Sequence, residues 1–356
     1  MKILFAASSW GLGHATRDLI LIRALTDAGH SVTVLSTDRA LKLLRGELSD
    51  RCDYIDFPDI PKSLGHTSAS FYIKMTMALP QVFRTFWREH RFVEEMCRPG
   101  GFDRVVSDSR YGVWSSSVPS YHLMHTLHQI MPFRARPVEW IIESLQQRIL
   151  SGARKVLIPD QEENGLAGEL CHDLVAFRRD QIEYLGILSS VLKMPVEQDV
   201  DYFITVSGVE PQRSVLEGKV LKQARDLDGR VVITLGRPDL PFSLSDDGRL
   251  AVYSYLGRRR QAEMMNRARV VVSRSGYTTL MELAELGKRA LMVPAVGQSE
   301  QEYLADLHER RGTMHSVPQG KLNLVRDLVD AERYPGLVGV RPTCEAVEKF
   351  LRIVEA

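Results

Sequence analysis

The chain opens MKILFAASSWGLGHATR, Met1 to Arg17. An apolar run, Ile3-Leu4-Phe5-Ala6-Ala7, meets a turn carrying Gly11 and Gly13, then His14, and then a stretch that reads as helix from Asp18 to Ala28. Strand, glycine turn and helix in that order make one βα unit of a parallel sheet. Glycines at such a turn let backbone N–H groups approach a ligand closely, and the helix N-terminus behind them favours anions. A histidine placed there can serve as base, hydrogen-bond donor or phosphate contact. On their own, two glycines and a histidine also fit a steric turn with a structural imidazole, and these residues leave both readings open.

The same alternation runs along the whole chain. In the first half, strands are predicted at Lys2–Ala7, Ser31–Ser36, Tyr54–Phe57, Arg104–Ser107, Tyr121–Leu127 and Lys155–Ile158. Helices fall between them at Asp18–Ala28, Arg39–Leu48 and Met77–Cys97. In the second half, strands are predicted at Asp201–Val206, Arg230–Leu235, Leu250–Tyr255, Val270–Ser273 and Ala290–Val293. Helices there cover Val215–Leu227, Gln261–Arg267 and Thr278–Leu286, the last closed by Gly287. Short apolar strands alternating with helices imply a parallel sheet with both faces covered. The expected fold class is α/β, with two doubly wound Rossmann-like domains facing a central cleft. Residues 1–160 form the first domain, 161–200 linker and edge elements, 201–340 the second domain, and 341–356 a C-terminal helix crossing back to the first. Ligands of such sheets bind at the carboxyl ends of the strands.

Composition sets the outer limits. A chain of 356 residues exceeds one ordinary core. Lys+Arg 46 against Asp+Glu 45 gives a net charge of +1, which offers no general reason for nucleic-acid binding. Cys52, Cys97, Cys171 and Cys344 are far apart and form no CxxC pair, so they read as reduced thiols of a cytoplasmic chain. No apolar run reaches the roughly 18 residues that span a bilayer, and the N-terminus lacks a signal-peptide layout.

Four further stretches carry chemistry. Ser273-Arg274-Ser275-Gly276-Tyr277-Thr278-Thr279-Leu280-Met281-Glu282 is a strand end, a small hydroxylated turn and a helix start. Ser275, Thr278 and Thr279 can cap that helix or bind phosphate, and Glu282 can accept two hydroxyls of a vicinal diol such as a ribose. A capped helix with a solvated glutamate fits the same spacing. Pro294 to Tyr303 (PAVGQSEQEY) supplies amides and carboxylates suited to sugar hydroxyls, or a plain polar loop. Val206-Ser207-Gly208-Val209-Glu210-Pro211-Gln212-Arg213 repeats the strand-turn-helix theme; Arg213 can meet a phosphate that Glu210 would oppose. Asp108, in Ser107-Asp108-Ser109-Arg110-Tyr111-Gly112, ends a strand on the edge that carries His14 in a parallel sheet. It can orient that histidine, deprotonate an acceptor, or cap a helix. His122, His125 and His128 recur every third residue and read as structural. No Walker A, HExxH or GxSxG pattern appears, and no spacing suggests a metal cage.

Together these stretches resemble the GT-B glycosyltransferases of family 28. The run R-S-G-x-x-T-x-x-E-L-A-x-x-G, Arg274 to Gly287, is similar to that family's nucleotide-sugar motif, and Gly11-Leu12-Gly13-His14 to its first glycine-rich loop. GLGHATR, SDSRYG and SGVEPQR look closer still to a branch of poorly characterised predicted glycosyltransferases. The resemblance covers both halves of the chain. It implies that Glu282 binds the ribose of a uridine nucleotide, and that Ser275, Gly276 and the turn through Thr279 contact the diphosphate. It implies further that Gln298 and Gln301 contact the donor sugar and that Tyr255 and Leu256 lie near the base. His14 becomes the base on the acceptor hydroxyl, or stabilises the leaving diphosphate. Ser207-Gly208-Val209-Glu210 stands where other members carry consecutive glycines, so the pyrophosphate contacts there depart from the family's pattern.

The expected activity is therefore transfer of a sugar from a nucleoside-diphosphate donor, a UDP-sugar, to an acceptor hydroxyl. The resemblance implies inversion at the anomeric carbon and metal-free chemistry, with no cofactor. The expected partners are that donor and an acceptor that is lipid-linked or a saccharide. Competing readings are a nucleotide-sugar hydrolase or epimerase, and a non-catalytic nucleotide-sugar-binding subunit. The stretch Phe71 to Phe92 mixes aromatics, Met and Arg and reads as helices with an apolar inner face, in preference to a patch on the inner face of the membrane.

Overall fold

The protein is described from a computed structural model, covering residues 1–60, 68–131 and 134–356, with side chains at all of these except 68–76, 243 and 244. It divides into two compact units: Met1–Ser190 together with Arg341–Ala356, and Val191–Val340.

The first unit runs β1 (Lys2–Ala7), α1 (Leu12–Asp27), β2 (Ser31–Ser36), α2 (Asp38–Leu48), β3 (Asp53–Asp56), α3 (Ser68–Met96), β4 (Arg104–Asp108), β5 (Ser120–Leu123), α4 (Arg136–Leu150), β6 (Lys155–Ile158) and β7 (Ile182–Tyr184). Its sheet has the order β3-β2-β1-β4-β5-β6-β7, with every pairing parallel. Ile3 to Ala7 are wholly buried, as an unbroken apolar strand covered on both faces must be. The stretch read as linker and edge elements supplies the edge strand β7 and remains with this unit as far as Ser190.

Two local differences from the sequence reading matter. Helix α1 begins at Leu12 rather than Asp18, because Gly11 takes an extended conformation (φ −159°, ψ 151°) and acts as its N-cap. Gly13, His14 and Arg17 therefore lie on the first turns of the helix, and His14, Arg17 and Asp18, spaced i, i+3 and i+4, share one face. The strand expected over Tyr121–Leu127 stops at Leu123, which leaves His125 and His128 in the loop beyond its end.

The second unit runs β8 (Val200–Thr205), α5 (Gln212–Gln223), β9 (Val231–Thr234), β10 (Ser243–Asp246), β11 (Leu250–Tyr253), α6 (Arg258–Arg267), β12 (Ala268–Ser273), α7 (Tyr277–Leu286), β13 (Arg289–Met292), α8 (Ser299–Arg310), β14 (His315–Ser316) and α9 (Leu324–Ala331). Its sheet order is β10-β11-β9-β8-β12-β13-β14, parallel except for β10 against β11. Ile204, Ile233, Val270, Val272, Leu291 and Leu324 fill one core cluster.

The last helix, α10 (Thr343–Glu355), belongs to the first unit. It buries Ala346, Phe350 and Val354, and its closing carbonyls accept from Tyr121 Oη (to Ile353, 3.1 Å) and Arg104 Nε (to Val354, 3.0 Å). Among the described residues no helix is long and apolar enough to cross a membrane. Of the stretch Phe71–Phe92, the side chains of 71–76 lie outside the described residues; beyond them Met77, Phe83 and Trp87 are exposed, while Val82 and Glu89 are buried.

Candidate active site

In a doubly wound sheet the ligand crevice opens where the strand order reverses, outside the carboxyl ends of the two strands. In the first unit that point lies between β1 and β4. The chain leaving β1 brings in Gly11, Gly13 and His14, and β4 ends on Asp108, which pairs in register with Ala7.

Asp108 is completely buried and holds a dense network. Arg17 Nε donates to its Oδ2 at 2.8 Å, and a second guanidinium nitrogen bonds Oδ1. His14 Nδ1 lies 3.1 Å from each carboxylate oxygen. The remaining Arg17 nitrogen meets His125 Nδ1 at 3.0 Å, and the His14 and His125 rings stand 5.5 Å apart. Burial works against the Asp108 charge, but Arg17 first and His14 next outweigh it and hold this carboxyl well below the usual range. Asp18, also wholly buried, goes the other way: burial, then the Asp108 charge, push it well above that range. An Arg17 nitrogen also stands 3.1 Å from His14 Nδ1; we place the Nδ1 proton toward the buried carboxylate, which leaves the lone pair on Nε2. The His14 side chain is 18% exposed, so the imidazole has one face braced and the other open. A Cβ added at Gly11 would meet nothing within 4 Å among the described residues.

The rest of the Ser107–Gly112 motif is scaffold. Arg110, wholly buried, donates to Glu89 (2.8 Å) and to the Pro58 carbonyl (2.7 Å). A side chain at Gly112 would strike the Phe86 carbonyl. The three histidines take three different roles. His122, inside β5, is fully buried, finds no hydrogen-bond partner among the described residues, and is pushed down to about 4 by burial. His125 joins the His14 network, and His128 sits between two glutamates of α4 (Nδ1 to Glu143 at 2.9 Å, Nε2 to Glu139 at 3.5 Å). His125, read from its spacing as structural, takes this place because β5 ends four residues earlier than read.

In the second unit the reversal falls between β8 and β12. The β8 loop carries Ser207 and Gly208, and the β12 loop Arg274, Ser275 and Gly276. Arg274 is buried and donates to four carbonyls: Ser207 (3.2 Å), Gln212 (3.2 Å), Val293 (3.1 Å) and Pro294 (3.2 Å). It ties together three loops at the carboxyl ends of β8, β12 and β13. Burial lowers it to about 10, so it stays charged at neutral pH. Ser275 gives its hydroxyl to the Gln301 carbonyl at 2.7 Å. Gly276, the N-cap of α7, has no side-chain cap, and a Cβ there would meet nothing within 4 Å. Thr278, Thr279 and Glu282 follow on α7, each partly buried. Gln298 and Gln301 bond each other (2.6 Å), and Gln301 also accepts from the Ala295 N–H at 3.0 Å. Tyr255 and Leu256 follow β11 on the same edge, with Phe242 edge-on to the Tyr255 ring at 5.9 Å. Arg213 is held by Glu217 (2.6 Å) and by Glu210 (Nε, 2.8 Å). The β8 loop, the β12 turn, the Gln loop and the β11 exit therefore line one edge of this sheet.

Among the described residues one group could hold a metal: Asp160, Cys171 and His172 bring ligand atoms within 4.8 Å of one another. The Asp160 oxygens already accept from the N–H groups of Gln161, Leu166 and Ala167 at 2.8 to 2.9 Å, so the carboxylate works as a loop clamp.

Residues 213–331 match the model of the glycosyltransferase family 28 C-terminal domain. An uncharacterised glycosyltransferase of Methanosarcina acetivorans is 23% identical, over 94% of this chain and 91% of its own. Among solved structures, MurG of Acinetobacter baumannii superposes with a TM-score of 0.55 at 13% identity, covering 99% of both chains. A Listeria monocytogenes protein described as a UDP-N-acetylglucosamine 2-epimerase superposes at 0.59 and 15%, covering 99% of this chain and 95% of its own. The fold is that of the GT-B glycosyltransferases, and the chain is a glycosyltransferase carrying the family 28 domain in its second unit.

Proposed function

We propose that this glycosyltransferase moves a sugar from a UDP-sugar to an acceptor hydroxyl, with His14 as the base and the second unit holding the donor. The observation that carries the reading is the His14–Asp108–Arg17 network at the strand reversal of the first unit. In the proposed step the acceptor O–H gives its proton to His14 Nε2 as the oxygen bonds the anomeric carbon. The bond from that carbon to the β-phosphate oxygen breaks, and its electron pair leaves with UDP. Attack opposite the leaving group inverts the centre. Asp108 fixes the imidazole tautomer and stabilises the imidazolium that forms, while its own low pKa keeps it from taking the proton.

On the donor side, Gly276 and the N–H groups at the start of α7 would face the diphosphate, and Glu282 the ribose. Gln298 and Gln301 would take the sugar hydroxyls, and Tyr255 and Leu256 the base. Arg274 and Ser275 shape this edge through protein carbonyls, and Ser207 and Gly208 form its other lip. Arg213 would have to leave its glutamates to reach a phosphate. Stabilisation of the leaving group by helix N-termini and hydroxyls is the basis for proposing a metal-independent reaction.

The test is UDP release from UDP-sugars with and without a panel of acceptor alcohols and saccharides. Acceptor-dependent release supports transfer. The likeness to the 2-epimerase favours a second reading, attack by water or reorganisation at the sugar; stoichiometric UDP release without any acceptor would select it and overturn transfer.

A further inference from the structure

Helix α4 is amphipathic in an inverted sense. Trp140, Ile141 and Leu145 are exposed, whereas Glu139 and Glu143 are at most 1% exposed. Two carboxylates are kept in a protein interior only where something rewards them. Glu143 is fully used: Oε1 accepts from the N–H groups of Val175 and Ala176, each at 2.6 Å, and Oε2 from His128. Glu139 is used by half. Its Oε1 accepts from the Met131 N–H at 2.8 Å, but its buried Oε2 has no hydrogen bond among the described residues, with His128 Nε2 standing 3.5 Å away.

Glu139 and Glu143 stand in the wall of a cavity of about 420 Å³, lined by His128, Arg136, Glu139, Trp140, Glu143, Glu169, His172, Asp173 and Val175. The size is that of a small-molecule site, about 300–1,000 Å³. Its walls are fixed in advance: His172 is braced by Asp160 (3.0 Å) and stacked on Tyr184, and His128 is held by α4. Trp140, 52% exposed, offers an aromatic face. Four carboxylates against one arginine disfavour a phosphate or nucleotide. Arg136 and the imidazoles, standing among those carboxylates, give the mixture of donors and acceptors that a hydroxyl, itself both, can satisfy. A pyranose ring combines hydroxyls at its edge with an apolar face that packs on an indole.

The cavity hangs from the loop that also carries His125. His125 and His128 are three residues apart, so their Cα atoms are at most about 11 Å from each other, and His125 is in ring contact with His14. We propose that this cavity is the acceptor subsite and that it takes an uncharged pyranoside, hydrogen-bonded by Glu139 and stacked on Trp140. The acceptor role rests on the transferase reading above; the binding itself is tested apart from it.

Saturation-transfer NMR on the full chain, without donor, would use methyl glucoside, methyl galactoside, methyl mannoside and methyl N-acetylglucosaminide, with tetramethylammonium and pyrophosphate as the opposing probes. The expected result is transfer to the ring protons of at least one glycoside, weakened about tenfold or more in Trp140→Ala and in Glu139→Ala, the scale of one lost buried hydrogen bond or stacking contact. Glu139→Gln, which keeps an acceptor oxygen, should retain most of the binding, and this guards against a misfolded alanine variant. Failure of every glycoside, equal binding by wild type and both alanine variants, or selective binding of either opposing probe would overturn the proposal. UDP release assays fail or succeed independently: glycoside binding without transfer sinks the enzyme reading alone, and transfer to an acceptor that ignores Trp140 and Glu139 sinks the subsite alone.

Discussion

His14 Nδ1 stands 3.1 Å from both oxygens of Asp108, a carboxylate wholly buried and also held by Arg17. The imidazole is held by its inner nitrogen, and among the described residues none bonds its outer one. Replacing His14 with alanine is expected to lower kcat by about 10²- to 10⁴-fold, the usual contribution of a positioned base, with UDP affinity unchanged by calorimetry. A fully active variant would make His14 structural.

Asp108→Asn keeps the shape but removes the charge that fixes the tautomer. The expected outcome is a fall in kcat approaching that of the His14 variant, at constant KM for the donor. Rapid turnover by this variant would mean that Arg17 alone organises the site.

Much of this arrangement was legible beforehand. The parallel strands are unbroken apolar runs, because helices cover both faces of each sheet, and such runs need no partner to be recognised. The glycine turns, Asp108 and the Arg274–Gly287 run were visible because each sits at a strand end. Helix α4 was not. It hides Glu139, Glu143 and Gln146 and exposes Trp140, Ile141 and Leu145, so its hydrophobic pattern points away from the core. The place of Arg274 was equally hidden: it stands in a run similar to a nucleotide-sugar motif, whereas its four carbonyl partners come from distant loops.

Arg274→Ala leaves those carbonyls without donors in a buried place. A loss of about 2–4 kcal/mol of stability is expected, with reduced nucleotide affinity as its consequence. Urea denaturation of the variant with and without UDP checks both; unchanged stability would overturn the structural role of Arg274.

Gly276→Ala separates fold from ligand. The new methyl group meets nothing within 4 Å, so the melting temperature should change little, an Ala for Gly N-cap costing under about 1 kcal/mol. The affinity for UDP should fall about tenfold or more where a phosphate needs that space. Unaltered thermal stabilisation by UDP would place the diphosphate elsewhere. In the same assay Glu282→Ala should weaken UDP by about 1–3 kcal/mol.

His122 sets a pH dependence. The unfolded chain takes up a proton near the ordinary histidine value of 6.5, but the folded protein excludes it until about 4. Between those values the unfolded state binds more protons, so stability rises with pH and is lost as pH falls, by on the order of 3 kcal/mol across the window. His122→Leu, which forfeits no hydrogen bond, should show a shallower acid loss in denaturation midpoints compared at pH 7 and pH 4.5. Parallel curves would mean that the imidazole is charged in the folded state.

Ser189 N donates to Thr343 Oγ1 at 2.9 Å, so the chain leaves the first unit and returns to it at one spot. In genealogy of synthesis this makes the second unit an insertion. The ribosome delivers all of Val191–Val340 before the helix that covers Tyr121 and Arg104 exists. The first unit is thus finished after the second, and a stalled or clipped chain that lacks α10 would carry a complete second unit with a first one still missing its closing helix.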